Sequence, residues 1–273
     1  MQDSGMKSSM IQKPSVAFVV QRFGIDVVGG AETLCRLIVE KMSTLWDIEV
    51  LTSSAKEYVK RFENDYCSGV ENLNGVAVKR FEIDYLRSDD HTFSQLNRRV
   101  LNRTAHRDEE LCWLKEIGPY SSDLIKYVED NVQNYDIFFF FTYLYATTTM
   151  ILPLVKNKSI LIPTAHDEPS LYARFFDDFF ALPRAVICLT DEELRLIRNR
   201  TNLPIRGAYL AGVGLDEPPV SNPTYFCQKF NVKRDFLLYV GRIQKEKGCE
   251  QLFEYYLTLP SDIRKNYPLV LLG

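Results

Sequence analysis

Val16-Ala-Phe-Val-Val20, Gln21-Arg-Phe-Gly-Ile-Asp-Val-Val-Gly-Gly30 and the segment Ala31 to Leu45 follow one another near the start of the chain. An apolar run of strand length, a loop ending in two glycines and a helix form the first half of a βαβ unit, from which parallel sheets are wound. Leu34, Leu37, Ile38, Met42 and Leu45 carry the spacing of one buried helix face. The same alternation continues outward. Ile48 to Thr52 and Val76 to Phe81 read as strands, and Asp89 to Asn134 reads as mostly helical with a break at Gly118-Pro119, where proline cannot continue a helix. Strands resume at Ile137 to Phe141, Ser159 to Ile162, Ala185 to Leu189 and Ile205 to Leu210. Thr190-Asp-Glu-Glu193 has the form of a capping box, so a helix is expected from there to about Asn199. Ile137 to Val155 is nearly uncharged, but four threonines and Pro153 dilute it, and it reads as a buried strand leading into a helix rather than a membrane span.

This pattern predicts an α/β protein with a parallel sheet covered on both faces. Residues 1–14 read as a flexible leader without the apolar core of a secretory signal. Residues 15–217 form a first Rossmann-like domain, and the proline-rich stretch Glu217 to Pro223 supplies a linker over 218–223. Residues 224–273 open a second domain, with strands Phe236 to Val240 and Leu269 to Leu272 around a helix Gly248 to Leu259. One β-α-β unit of that size is only marginally stable alone, so the second domain is expected to be truncated and this tail loosely held.

Hydrophobic residues are 46% of the chain and charged residues 25%, the proportions of a folded globular protein. The net charge of -3 gives no reason to expect a nucleic-acid partner, which calls for a strongly basic balance. Cys35, Cys67, Cys112, Cys188, Cys227 and Cys249 lie far apart with only three histidines in the chain, so buried reduced thiols in a cytosolic protein are expected rather than a zinc site.

Three segments carry candidate chemistry. At the end of the loop Gln21 to Gly30, Gly29 and Gly30 leave helix-start amides open to an anion, although a plain turn would use the same residues and neither G-x-G-x-x-G nor a P-loop lysine is present. In Tyr239-Val-Gly-Arg-Ile-Gln-Lys-Glu-Lys-Gly248, Gly241 permits a tight turn while Arg242 and Lys247 supply a bidentate fork and a point charge suited to a diphosphate; a solvated lysine-rich turn is the competing reading. Leu161-Ile-Pro-Thr-Ala-His-Asp-Glu-Pro169 puts His166 beside Asp167 and Glu168 at a strand end, where it could bond a sugar hydroxyl or relay a proton, or simply be structural. Tyr143 and Tyr145 could line an acceptor pocket or pack in the core. Arg99, Arg103 and Arg107 recur every four residues on an expected helix, beside Arg98 and His106. That stripe could meet anionic lipid, so peripheral contact at the inner face of the membrane stays open, against a solvated face balanced by Asp108, Glu109 and Glu110.

Val-Gly-Gly-Ala-Glu at 28–32, Pro-Thr-Ala-His-Asp-Glu-Pro at 163–169, Gly-Val-Gly-Leu-Asp at 212–216, and Val-Gly-Arg-Ile with Glu-Lys-Gly over 240–248, taken in order, give the chain a resemblance to glycosyltransferase family four, the retaining enzymes of the two-Rossmann GT-B fold. The resemblance covers essentially residues 15–273. It implies transfer of a sugar from a nucleoside diphosphate sugar to a glycan or lipid-linked acceptor. Gly29 and Gly30 would lie near the donor phosphate and acceptor, His166 would be the catalytic residue near the donor sugar, and Arg242 and Lys247 would sit on the diphosphate. Glu32, Tyr143, Asp167 and Glu168 would lie on the acceptor side. No cofactor and no metal are implied, and no Asp-x-Asp metal motif is found. Family members also carry a pair of glutamates eight positions apart, in a region that would follow Gly273; residues 1–273 are therefore expected to be inactive by themselves. Two other readings stay open: a non-catalytic acceptor-binding subunit completed by a partner chain, and a sugar-nucleotide epimerase of the same architecture.

Overall fold

The opening run forms β1 (Ser15–Val20), and every residue after Ser15 in it is buried because the strand lies inside the sheet and is covered on both faces. In the computed structural model, which describes residues 13–57, 62–214, 217, 220–232 and 235–273, the chain divides into two compact units, Met1–Val213 and Gly214–Gly273. Most of the expected leader, part of the linker, and Leu215 and Asp216 lie outside the described residues.

In the first unit β1 is followed by α1 (Gly30–Met42), β2 (Asp47–Ser53), β3 (Gly69–Leu73), β4 (Val76–Phe81), α2 (Asp90–Leu101), α3 (Arg107–Ile117) and α4 (Ser122–Asn131). Then come β5 (Ile137–Phe141), α5 (Ala146–Thr149), β6 (Ser159–Ile162), β7 (Ala185–Cys188), α6 (Asp191–Arg200) and β8 (Ala208–Leu210). The eight strands run in the order β3-β4-β2-β1-β5-β6-β7-β8. The chain winds outward from β1 through β2 to β4 and returns to place β5 on the other side of β1, so the winding of the sheet reverses between β1 and β5. Open α/β sheets bind ligands beyond the carboxyl ends of the strands at such a reversal.

Strand periodicity sends alternate residues into two cores. Phe138 and Phe140 join Ala17, Val19 and Leu51 beneath α2, α3, α4 and α6. Phe139 and Phe141 join Val16, Phe18 and Val50 beneath α1, where the Phe18 and Phe139 rings stack at 4.9 Å. The buried face of α1 is Leu34, Cys35 and Val39, with Ile38 and Met42 packed beside it; Leu45 lies past the helix end and is exposed.

The structure corrects several expectations. The sheet is not wholly parallel, because β3 is an antiparallel edge strand joined to β4 through Asn74 and Gly75, both at positive φ. The run Ile205 to Leu210 is a strand only over β8. Arg99 lies near the end of α2, Arg103 sits at positive φ in a turn and Arg107 begins α3, so the basic stripe is not one helix face. Arg99 pairs with Glu109, and Arg103 with Asp177. Among the free cysteines Cys35, Cys188 and Cys249 are buried, whereas Cys67 and Cys112 are exposed. No helix of the described residues is long and apolar enough to cross a membrane; Ile137 to Val155 holds β5 and α5.

The second unit contains α7 (Pro223–Phe230), β9 (Leu237–Val240), α8 (Cys249–Thr258), α9 (Ser261–Asn266) and β10 (Leu269–Leu272). β9 and β10 pair in parallel, Leu237 opposite Leu269 and Val240 opposite Leu272. Among its described residues only Cys249 is buried, while Leu238, Val240 and Leu272 are more than half exposed. A parallel pair normally needs cover on both faces. Amide exchange followed by mass spectrometry is expected to show β9 and β10 exchanging at least about a hundredfold faster than β1 and β5, because local opening is easiest where apolar burial is least; equal protection would contradict this.

Candidate functional site

The carboxyl ends of β1, β2, β5 and β6 lie along one edge of the first unit, and a polar network joins the first three. Gln21 and Arg22 leave β1 and are 1% and 5% exposed. Arg22 forms an ion pair with Glu32 in the first turn of α1, both side chains 6% exposed. Arg22 also donates to the carbonyls of Lys56 at 2.9 Å and Val28 at 3.3 Å. The Gln21 amide donates to Glu32 Oε1 at 2.9 Å and accepts from the Thr142 hydroxyl at 3.1 Å, while Ser53 Oγ donates to the Gln21 carbonyl at 2.5 Å. One buried network therefore ties the starts of three loops together across the reversal between β1 and β5.

Glu32, expected on the acceptor side, is held inside this network. Its charge also explains part of why the Cys35 thiol is pushed well above its ordinary pKa: burial comes first, the Glu32 carboxylate second. The two glycines before it differ. Gly29, the N-cap of α1, lies against the ion pair, where an added Cβ would collide with the Glu32 carboxylate and come within 3.2 Å of Arg22 Nη2. An added Cβ at Gly30 meets nothing within 4 Å. Of the expected open pair, Gly30 alone would accept a Cβ without contact.

The second cluster follows β5 and β6. Thr142 and Thr164, each just beyond its strand, have φ of 64° and 48°. Such backbone costs a β-branched residue about 1–3 kcal/mol and persists only where the surroundings hold it. Here the Thr142 and Tyr143 amides donate to the carbonyls of Ile162 and Pro163 at 2.9 and 3.0 Å. Tyr143 is buried against Phe176 and Phe180, and its hydroxyl donates to Glu168 at 2.6 Å. Burial, followed by the Glu168 charge, drives the Tyr143 pKa strongly upward, so this hydroxyl stays protonated. Tyr145 packs edge-on against Phe62. His166 and Asp167 are exposed, and Asp167 accepts from the Tyr172 hydroxyl at 2.6 Å. Arg200 clamps the segment that follows, donating to the carbonyls of Leu171 and Ala173 and to Asp177, which Arg103 also engages.

In the second unit the loop between β9 and α8 carries Arg242 and Lys247, both exposed. Gly241 and Gly248 bound it with φ of 144° and 74°, values that favour glycine. The Tyr239 hydroxyl donates to the Arg242 carbonyl at 2.8 Å. Lys245 is paired with Glu250, but among the described residues neither the Arg242 guanidinium nor the Lys247 ammonium has a hydrogen-bond or ion-pair partner. Among the described residues there is also no group of three or more His, Cys, Asp or Glu placed to hold a metal ion.

No motif singles out Gln21, Arg22, Thr142 or Glu193 as a site residue. The available signal for the first three is a polar side chain immediately after a buried strand. Gly29→Ala is expected to displace Glu32 from Arg22 and lower stability by about 1–3 kcal/mol, whereas Gly30→Ala is expected to be neutral or stabilising by up to about 1 kcal/mol. Urea denaturation of the two variants measures the contrast, and equal effects would refute it.

No family model matches this sequence, and no curated protein matches it. Solved structures do. Sucrose-phosphate synthase from Thermosynechococcus elongatus superposes with a TM-score of 0.62 at 13% identity, over 96% of this chain and 62% of that one. Anabaena Alr3699/HepE, solved in complex with UDP and glucose, gives 0.60 at 12% identity over 94% and 60%. An α,α-trehalose-phosphate synthase (UDP-forming) from Burkholderia vietnamiensis gives 0.54 at 13% over 95% and 63%. The chain thus spans about three fifths of the length of the solved structures it matches. At this identity the likeness is one of architecture, and the fold is α/β of the GT-B type.

Proposed function

We propose that this chain belongs to a glycosyltransferase that uses a nucleoside diphosphate sugar, with the β9–α8 loop taking the diphosphate. The observation that carries the reading is the pair Arg242 and Lys247, two full positive charges without partners among the described residues, on a loop shaped by two glycines at a strand's carboxyl end. The GT-B type fold supports it, as do the UDP and glucose with which one structural neighbour was solved. In this reading the departing diphosphate is stabilised by preorganised charge, and no metal is required for that role. The exposed His166 is the group of the first unit offered to the donor sugar as the catalytic residue. The open Gly30 amide is available to a phosphate or hydroxyl oxygen, and Asp167 and Glu168 stand on the acceptor side. Transfer to a glycan or lipid-linked acceptor with retention at the anomeric carbon is part of the same proposal.

Titration calorimetry with UDP, GDP and ADP on the purified chain tests the central step. At least one nucleotide is expected to bind, and Arg242→Ala or Lys247→Ala is expected to weaken that binding about tenfold or more, as the loss of one charge-assisted contact implies. Unchanged affinity in both variants, or no binding of any of the three by the wild type, would overturn the assignment.

A further inference from the structure

The spacing Thr190-Asp-Glu-Glu193 makes Glu193 half of a capping box, in which its carboxylate would turn back to the amide of the capping residue Thr190. The structure keeps only the first half of that motif: Thr190 Oγ1 accepts from the Glu193 amide at 3.1 Å. The carboxylate goes elsewhere. Oε2 accepts from the Leu189 amide at 2.7 Å, just beyond β7, and Oε1 accepts from the Ala165 amide at 2.7 Å, in the loop that follows β6. Glu193 is 6% exposed. Its pKa is raised by burial; the two amides and the charge of His166 oppose the rise.

We infer that Glu193 is the positioning residue for His166. One buried side chain fixes the amide immediately before His166, ties it to the neighbouring strand end, and places a carboxylate within electrostatic reach of the imidazole. Helix capping alone does not demand a carboxylate, since glutamine serves a capping box as well. Two amide donors on two different oxygens do demand it. Glutamine would turn its NH2 toward one of those N–H groups and leave that donor unsatisfied. The backbone at Thr164 needs such an anchor, because its positive φ would otherwise relax.

The proposal is tested with Glu193→Gln in the full chain. Amide exchange is expected to accelerate at least about tenfold over residues 163–168, reflecting the loss of a charge-assisted bond, while α6 keeps its protection. The chain has three histidines, so its ring signals in a carbon–proton spectrum can be assigned with His91→Gln, His106→Gln and His166→Gln variants. The His166 ring signal is expected to move in Glu193→Gln and those of His91 and His106 to stay, a response that a purely capping role would not give. Unchanged exchange over 163–168 together with an unchanged His166 signal would overturn the inference. If Glu193→Gln does not fold, Thr190→Ala supplies the control: it removes the cap and leaves the carboxylate, and the inference then requires the His166 signal to stay in place and fails if it moves. That His166 serves a donor sugar rests on the proposed function. Failure of nucleotide binding would sink that reading alone, since neither readout here uses a ligand.

Discussion

The ion pair between Arg22 and Glu32 is the constraint on which the first unit's candidate edge depends. Burying two opposite charges costs several kcal/mol per ion, and their mutual attraction offsets this only when the remaining donors and acceptors are also satisfied. The carbonyls of Val28 and Lys56 and the Gln21 amide take up part of that requirement. The loop from 22 to 30 is thereby held at both ends, and the start of α1 is fixed against the end of β1. Through Gln21 and Thr142 the same network reaches β5, across the reversal of the sheet. Removing one partner of such a pair costs about 3–5 kcal/mol, because the other is left buried and uncompensated. The edge where the candidate residues gather is thus held locally, by this charge network together with the buried Phe23 and Val27 of the same loop.

β1, β2, β4, β5, β6 and β7 were legible because apolar residues predominate in covered strands, although Thr52, Ser53, Arg80 and Ser159 are buried in them as well. β3 was not legible in that way: four of its five residues are exposed and it is held by its pairing to β4. Its signal was the Asn74-Gly75 turn, whose two positive φ values match the hairpin turn that those residues favour. The arginine stripe failed for the opposite reason, since a spacing of four is legible but the turn at Arg103 contains no glycine or proline to break it. Glu32 and Glu193 look like ordinary first-turn acids. Their burial is decided by partners outside their helices, Arg22 at the end of β1 and Ala165 after β6, and no local pattern reveals that.

The second unit shows how far a loop can be shaped without a large core. Only Cys249 is buried among its described residues, so apolar burial contributes little to holding it. The loop's form is set instead by chain chemistry close at hand: glycine backbone at 241 and 248, the Tyr239 hydroxyl on the Arg242 carbonyl, and the short turn through Lys245 to Lys247. Such local determinants give the loop a shape while its supporting sheet remains two strands wide.

Charge magnitudes then separate the two glycine-bearing loops. At the start of α1 the Glu32 carboxylate is matched by Arg22, and what remains for an incoming anion is the helix end itself, equivalent to about half an elementary charge and already shared with a first-turn acid. The β9–α8 loop presents two full charges without a hydrogen-bond or ion-pair partner among the described residues, while the amino-terminal end of α8, like that of α1, faces a first-turn acid, Glu250. A group carrying two or more negative charges gains most at the second loop. The start of α1 offers an incoming anion less, because its helix end already faces the Glu32 carboxylate.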